Sequence, residues 1–257
     1  MQKIHDFSLL NAQISACLRP GLVTNCVLSG QKLRALIAAG QLYAHAWPGG
    51  LVLLWRTPSV DRLYFYLTDP AVPPDSFLSE PVVCEYTPRA GKPALPAPWW
   101  EAYGFCRVLA RTRLTRPAGP ASGAPPAPLQ PASAQTVLNI LNTCFPPDTG
   151  CIPTLSDLQA AVSAGNVLTR AQNGACVAAL HVEPGRGFTQ LRHLAVLPAA
   201  RGQGLAAQLV REFTARFGTQ TCRVWVAEGN DAARHLYEKN GFSSDGTSSF
   251  VWKLERN

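Results

Sequence analysis

Apolar residues along this chain recur in two rhythms. Leu205, Leu209, Phe213 and Phe217 return every fourth position and stop at Gly218, which predicts a helix over 204–217 with one buried stripe. An apolar run, 190–197, precedes it and reads as a strand ending at Pro198, with Arg201-Gly-Gln-Gly204 as the turn between them. The same patterns predict strands at 166–170, 175–183, 221–227 and 250–254, and helices at 134–145, 155–165 and 231–239. Thr154-x-x-Asp157 is a capping box and Asp245-Gly246 a hairpin turn. Residues 1–45 read mainly helical, with Ser29 capping a helix that buries Leu33, Leu36 and Ile37 and ends at Gly40. Strands follow at 42–46, 51–56, 62–67, 82–86 and 105–114.

Between these halves lies an Ala/Pro-rich stretch with prolines at 117, 120, 125, 126, 128 and 131. Such a segment packs poorly and reads as a semi-rigid linker. The expected division is 1–116, linker 117–131, and 132–257. The halves also look related. Thr24-x-Cys26, Leu33, Ala35, Ala39 and Gly40 match Thr149-x-Cys151, Leu158, Ala160, Ala164 and Gly165 at a constant offset of 125. Trp100-Glu101-x-x-Gly104-Phe105 matches Tyr237-Glu238-x-x-Gly241-Phe242 at 137, and Val83-x-Glu85 matches Val226-x-Glu228 at 143. The jump of 18 between the offsets 125 and 143 is what deleting the glycine turn and its helix from the first half would produce, with residues 68–81 in their place.

The stretch from Leu194 to Val210 resembles the acetyl-coenzyme A motif of the GNAT superfamily of N-acetyltransferases. Arg201-Gly-Gln-Gly204-Leu-Ala206 follows its Arg/Gln-x-x-Gly-x-Gly/Ala pattern, and Val196-Leu-Pro198 its lead-in. A second motif of the family is matched by Asn230, Ala233 and Tyr237, followed by Gly241-Phe242. The resemblance runs from about residue 129 to 257 and implies an α/β fold. With the repeat, it implies two tandem GNAT-like domains, each a mixed central sheet flanked by helices, the first lacking the acetyl-CoA turn and helix.

The resemblance also implies where the chemistry sits. Acetyl-CoA would lie along Leu194, Ala195 and Val196. Its pyrophosphate would meet the backbone N–H groups of Arg201, Gly202, Gln203, Gly204, Leu205 and Ala206, at a helix start that favours anions. Asn230, Ala233 and Tyr237 complete the cofactor set. The reaction is acyl transfer to an amine. Val196 or a neighbour supplies the N–H for the developing oxyanion, and the Tyr237 phenol protonates the leaving thiolate. Glu183, His193 and Glu228 are the candidate bases. Trp100 replaces the tyrosine in the first half, so that half is expected not to catalyse.

Composition narrows the partners. The net charge is +7, with 12 basic against 7 acidic residues in 1–116 and 11 against 9 in 117–257. This suits an anionic cofactor; no interleaving of aromatic and basic residues favours nucleic acid. No apolar run approaches the length of a membrane span, and no signal peptide is evident. Eight scattered cysteines without a Cys-x-x-Cys pair read as free thiols in the cytoplasm and disfavour a metal site. The acceptor is a small-molecule or peptide amine of open identity. The first half would shape the acceptor pocket, form a homodimer, or both. Two alternatives stand beside the enzyme: a non-catalytic acyl-CoA-binding sensor or scaffold, and an aminoacyl-tRNA-dependent peptidyl ligase.

Overall fold

A computed structural model describes residues 1–69, 81–88, 101, 103–120 and 132–254. It contains β1 (Gln2–Lys3), α1 (Phe7–Cys17), β2 (Val23–Thr24), α2 (Gly30–Ala38), β3 (Leu42–Trp47), β4 (Gly50–Trp55), β5 (Asp61–Leu67), β6 (Val82–Tyr86) and β7 (Phe105–Arg116). Then come α3 (Ala134–Cys144), α4 (Leu155–Ser163), β8 (Val167–Gln172), β9 (Ala175–Gly185), β10 (Phe188–Val196), a 3-10 turn (Pro198–Ala200), α5 (Leu205–Phe217), β11 (Thr221–Ala227), α6 (Asp231–Glu238) and β12 (Ser243–Leu254). The expected helical reading of 1–45 is corrected: two helices are separated by the short β2.

The chain forms two compact units. One is Met1–Ala110 with Thr247–Asn257; the other is Arg111–Gly246. The expected boundaries at 116 and 132 divide it differently, and most of the expected linker, 121–131, lies outside the described residues. In the first unit the sheet runs β1-β3-β4-β5-β6-β12; in the second it runs β7-β11-β10-β9-β8. Each unit is therefore completed by the last strand of the other half's sequence. The part of β12 in the first unit pairs with β6 (Phe250 opposite Tyr86, Leu254 opposite Val82). The part of β7 in the second pairs with β11 (Cys222 opposite Arg116, Ala227 opposite Arg111).

The order β3-β4-β5-β6 matches β8-β9-β10-β11, and β5–β6 and β10–β11 are each parallel. Helices α2 and α4 sit at an offset of 125, as do β3 and β8. The strand order bears out the repeat; the size of the deletion does not. The crossover is 68–81 in the first unit and 197–220 in the second, ten residues shorter rather than 18. The Val83/Val226 match is the weak step, because short apolar strands align with each other in several registers. The expected loss of the turn and helix falls on 70–80, and Trp100 likewise lies outside the described residues.

In the second unit, the sheet is covered on both faces. Leu209, Val210 and Phe213 of α5 and Tyr237 of α6 pack with Leu180, Leu191, Val224 and Val226. On the opposite face, Val137, Ile140 and Leu141 of α3 and Leu158 of α4 pack with Ala179 and Ala195. Leu191 and Ala195 should share a face by alternation, yet they belong to different cores. The reason is an irregularity between Leu191 and His193 in the β9–β10 register: one inserted residue flips every later side chain to the other face. The capping box forms, with Asp157 N–H donating to Thr154 Oγ1 at 3.2 Å and Thr154 N–H to Asp157 Oδ2 at 3.3 Å. The expected hairpin at Asp245-Gly246 does not form. Both residues lie inside β12, with Gly246 at φ 77°, since only Ser243 and Ser244 precede them and make no strand to fold back on.

Candidate active site

The parallel pair β10–β11 holds together only at its start. Phe188–Leu191 pairs with Thr221–Val224. Beyond that, β10 keeps its partner β9 through Val196 opposite Ala178, and β11 keeps β7 through Ala227 opposite Arg111. The two strands part, and the inner backbone edges of both are left unpaired with each other. The Leu197 N–H donates to Val177 O at 2.9 Å across β9. Strand alternation then turns the N–H groups of Leu194 and Val196 away from β9, into the opening. Val196 O on the same edge accepts from Arg201 Nε at 3.1 Å and from Cys144 Sγ at 3.6 Å.

The glycine turn follows at once. Gly202 and Gly204 have φ 78° and 73°, left-handed values that a side chain resists. A Cβ built on either glycine meets nothing within 4 Å, so both border open space. Arg201 through Gly204 are exposed. Gly204 caps α5 with no side-chain hydrogen bond, and the first helical bond is Gln208 N–H to Gly204 O at 3.0 Å. The N–H groups of Leu205, Ala206 and Ala207 thus precede the helix's own ladder and can serve an anion. Gln172 Nε2 holds Gln203 Oε1 at 2.8 Å. Arg170 pairs with Glu212, which also receives Arg216 Nη2 at 2.8 Å; this fixes α5 to β8.

The other expected residues separate. Asn230 caps α6, accepting from Ala233 N–H at 3.1 Å, and Ala233 packs on the core. Tyr237 is buried, its ring edge-on to Phe242 at 5.7 Å, and burial pushes its phenol pKa up. His193 does not fit the base role. Its Nε2 lies 2.8 Å from Gly150 O and its Nδ1 3.3 Å from His181 Nδ1. Donation to that carbonyl puts the proton on Nε2, and the Nδ1 lone pair takes the proton of His181, so no lone pair remains. Burial pushes the His193 pKa down to about 3, and the two rings stack at 5.6 Å. Glu183 is also misplaced. It stands opposite Gln190, five residues along β9 from the partner of Val196, about 16 Å at strand rise, and faces Arg192 at 3.8 Å. Glu228 alone of the three follows the open end of β11, and it is exposed.

The first unit closes the equivalent opening with its own chain. After Asp61–Arg62, β5 and β6 lose their parallel pairing. Strand β2 then pairs with β5, Val23 opposite Leu67 and Thr24 opposite Tyr66. Asn25 Nδ2 donates to Leu63 O and Glu85 O, each at 3.0 Å, while its Oδ1 accepts from Phe65 N–H at 2.7 Å. One amide side chain thus stitches the two strands. At the offset of 125 its counterpart is Gly150, which has no side chain to do so.

Sequence reasoning did not find Asn25, nor the residues on the α3/α4 side of β11. There Trp225 and Arg223 alternate with the core residues Cys222, Val224 and Val226. That alternation was the available signal. Among the described residues no group of His, Cys, Asp and Glu could hold a metal ion, and no helix is long and apolar enough to cross a membrane.

Residues 163–244 match the family model of the acetyltransferase (GNAT) domain. No curated protein matches the chain. Solved structures similar to nearly all of it include a GCN5-related N-acetyltransferase from Sphaerobacter thermophilus, at 15% identity and TM-score 0.56 over 96% of this chain and 90% of that one. A tandem GNAT protein from the clavulanic acid biosynthesis pathway shares 13% identity, TM-score 0.55, over 97% and 94%. A GNAT-family acetyltransferase from Colwellia psychrerythraea shares 13%, TM-score 0.53, over 99% of both chains. At these identities the likeness is one of fold: a mixed α/β tandem arrangement.

Proposed function

We propose, from the premise that residues 163–244 form a GNAT acetyltransferase domain, that this protein is an acetyl-CoA-dependent N-acetyltransferase with one active site per chain. The observation that carries the reading is the parting of β10 and β11 beyond Leu191 and Val224, beside an exposed glycine turn. The residues present fit the cofactor: a backbone edge with two inward N–H groups for the acyl arm, and uncapped amides at Gly202–Ala207 for a diphosphate.

Acetyl-CoA supplies an acyl group activated as a thioester. The chain's own residues do the rest. The N–H groups of Leu194 and Val196 stabilise negative charge as it develops on the carbonyl oxygen. Glu228, at the mouth, takes the proton of the incoming amine, and the Tyr237 phenol meets the leaving sulfur. Asn25 and β2 fill the first unit's seam, which supports a single site. The eight cysteines form no disulfide among the described residues, which supports a place in the cytoplasm.

Calorimetry with acetyl-CoA tests this. One molecule should bind per chain, and Gly204→Glu should lose binding, since it puts bulk and negative charge where the diphosphate belongs. Equal affinity in the variant, or two sites per chain, overturns the assignment. Thiol release with a panel of amines then separates the enzyme from a silent acyl-CoA sensor, which would bind but release none.

A further inference from the structure

On the face that carries α3 and α4, the segment joining those two helices crosses the opening, and it is held by its own carbonyls. Arg111 Nη2 donates to Thr149 O at 2.6 Å, and His193 Nε2 lies 2.8 Å from Gly150 O. Arg111 stands on β7 and His193 on β10, with β11 between them. Leu114 packs in the core under α5, so alternation along β7 puts Arg111 on the other face. Ala195, two residues after His193, packs with α3 and α4, which puts His193 on that face as well. Two strand spacings, about 10 Å, separate β7 from β10, and the two side chains reach in from either side to adjacent carbonyls. Arg111 is opposite Ala227, and His193 lies past the last paired rung, Leu191 with Val224. The segment is therefore fixed over the first residues at which β10 and β11 are unpaired.

The turn that presents these carbonyls admits no side chain at position 150. Gly150 N–H donates to Pro146 O at 2.8 Å, and a Cβ there would come within 2.5 Å of Pro146 O and 2.8 Å of Phe145 Cβ. Phe145 in turn meets the His193 ring edge-on at 5.2 Å. His181 Nδ1, 3.3 Å from His193 Nδ1, fixes which way that ring faces. The counterpart in the first unit takes another course. Val23 and Thr24 pair with β5, and the Asn25 amide enters the seam and bonds both strands. The same segment of the repeat thus has two places, inside the seam or above it.

Building on the acetyltransferase reading, we propose that Arg111 and His193 are positioning residues: they clasp Thr149 and Gly150 above the opening, out of the place that Val23–Asn25 takes in the first unit, and so keep the Leu194 and Val196 N–H groups accessible to the acyl arm. A carbonyl released from its donor needs another. The inward N–H groups of β10 offer one, as Phe65 N–H of β5 does to Asn25 Oδ1 at 2.7 Å.

Calorimetry on the full-length protein with two probes tests this: acetyl-CoA, and 3′-phospho-ADP, which has the diphosphate but no arm. The parent should hold acetyl-CoA at least about tenfold more tightly, as expected from one or two added hydrogen bonds. Arg111→Met combined with His193→Leu should shrink that advantage to about twofold or less and leave the affinity for 3′-phospho-ADP unchanged. His193→Gln, whose amide can still donate to Gly150 O, should keep most of the advantage. An undiminished advantage in the double variant overturns the proposal. Should that variant bind neither probe, Arg111→Met alone, at a half-buried position, decides by the same comparison. A parent with no preference for acetyl-CoA strikes the functional reading itself, and the proposal with it; a parent that has the preference leaves the variants to judge the clasp.

Discussion

Two buried side chains show how environment decides what a residue does. Tyr237 has the right type and motif position for a proton donor, yet its ring is packed in the core and its pKa is raised by burial. A hydroxyl so placed keeps its proton and would yield it only to a strong base formed beside it. Tyr237→Phe preserves the ring contact with Phe242 and should lower turnover more than acetyl-CoA affinity; steady-state kinetics beside calorimetry check this, and unchanged turnover removes the acid role. His193 shows the converse. Its pKa of about 3 lies below the ordinary 6.5, so below pH 6.5 the unfolded chain binds the proton that the folded one refuses. Its contribution is present above pH 6.5 and is lost as pH falls toward 3. Between pH 7.5 and 5 this amounts to about 2 kcal/mol of folding stability. Urea unfolding at the two pH values should show that loss, and His193→Gln should reduce it.

Among the elements, α5 carries the glycine turn, so whatever fixes α5 fixes the site. Its apolar stripe does part of this; Leu209 and Phe213 are fully buried. The polar part is Glu212, whose side chain is 7% exposed between Arg170 and Arg216. Neutralising it leaves two cations facing each other in a poorly hydrated place. Glu212→Gln should cost on the order of 3 kcal/mol in urea unfolding and raise the KM for acetyl-CoA more than it lowers kcat. An equal loss of kcat with KM unchanged would show that α5 does not position the cofactor turn. Strand β10 makes a second point: one irregular residue at its centre sends Leu191 to one core and Ala195 to the other. That flip lets the same strand turn Leu194 and Val196 N–H groups toward the opening while burying His193 on the opposite face.

For the molecule as a whole, the division into units does not follow the chain. The second unit needs Arg111–Arg116 for β11, and the first needs Thr247–Leu254 for β6. A fragment of residues 132–257 keeps the whole stretch that matches the acetyltransferase (GNAT) domain model but strips β11 of its antiparallel partner and frees the last strand. Unpaired strand edges invite aggregation. That fragment should be aggregated or unfolded by circular dichroism and size-exclusion chromatography, while 1–257 is stable. A cooperative, acetyl-CoA-binding fragment would show that β7 is dispensable.

The residues by themselves determined much. Periodicity located most helices and strands within a few residues, because burial on one face of an element writes itself into the spacing of its apolar positions; it missed β1 and β2 and began the last strand at 250 rather than Ser243. Gly202 and Gly204 marked the turn, because positive φ selects glycine. Constant offsets revealed the repeat where helix α2 and strand β3 copy α4 and β8. What the sequence left open is what depends on distant neighbours. Strand exchange was invisible, since β7 and β12 have the same alternating pattern whichever partner they take. Asn25 passed as a loop residue, because its four contacts come from β5 and β6, 38 to 60 positions away. Glu183, His193 and Glu228 were equivalent by type; strand register and burial alone separated them, for proton transfer depends on where a lone pair points, and only the folded chain sets that.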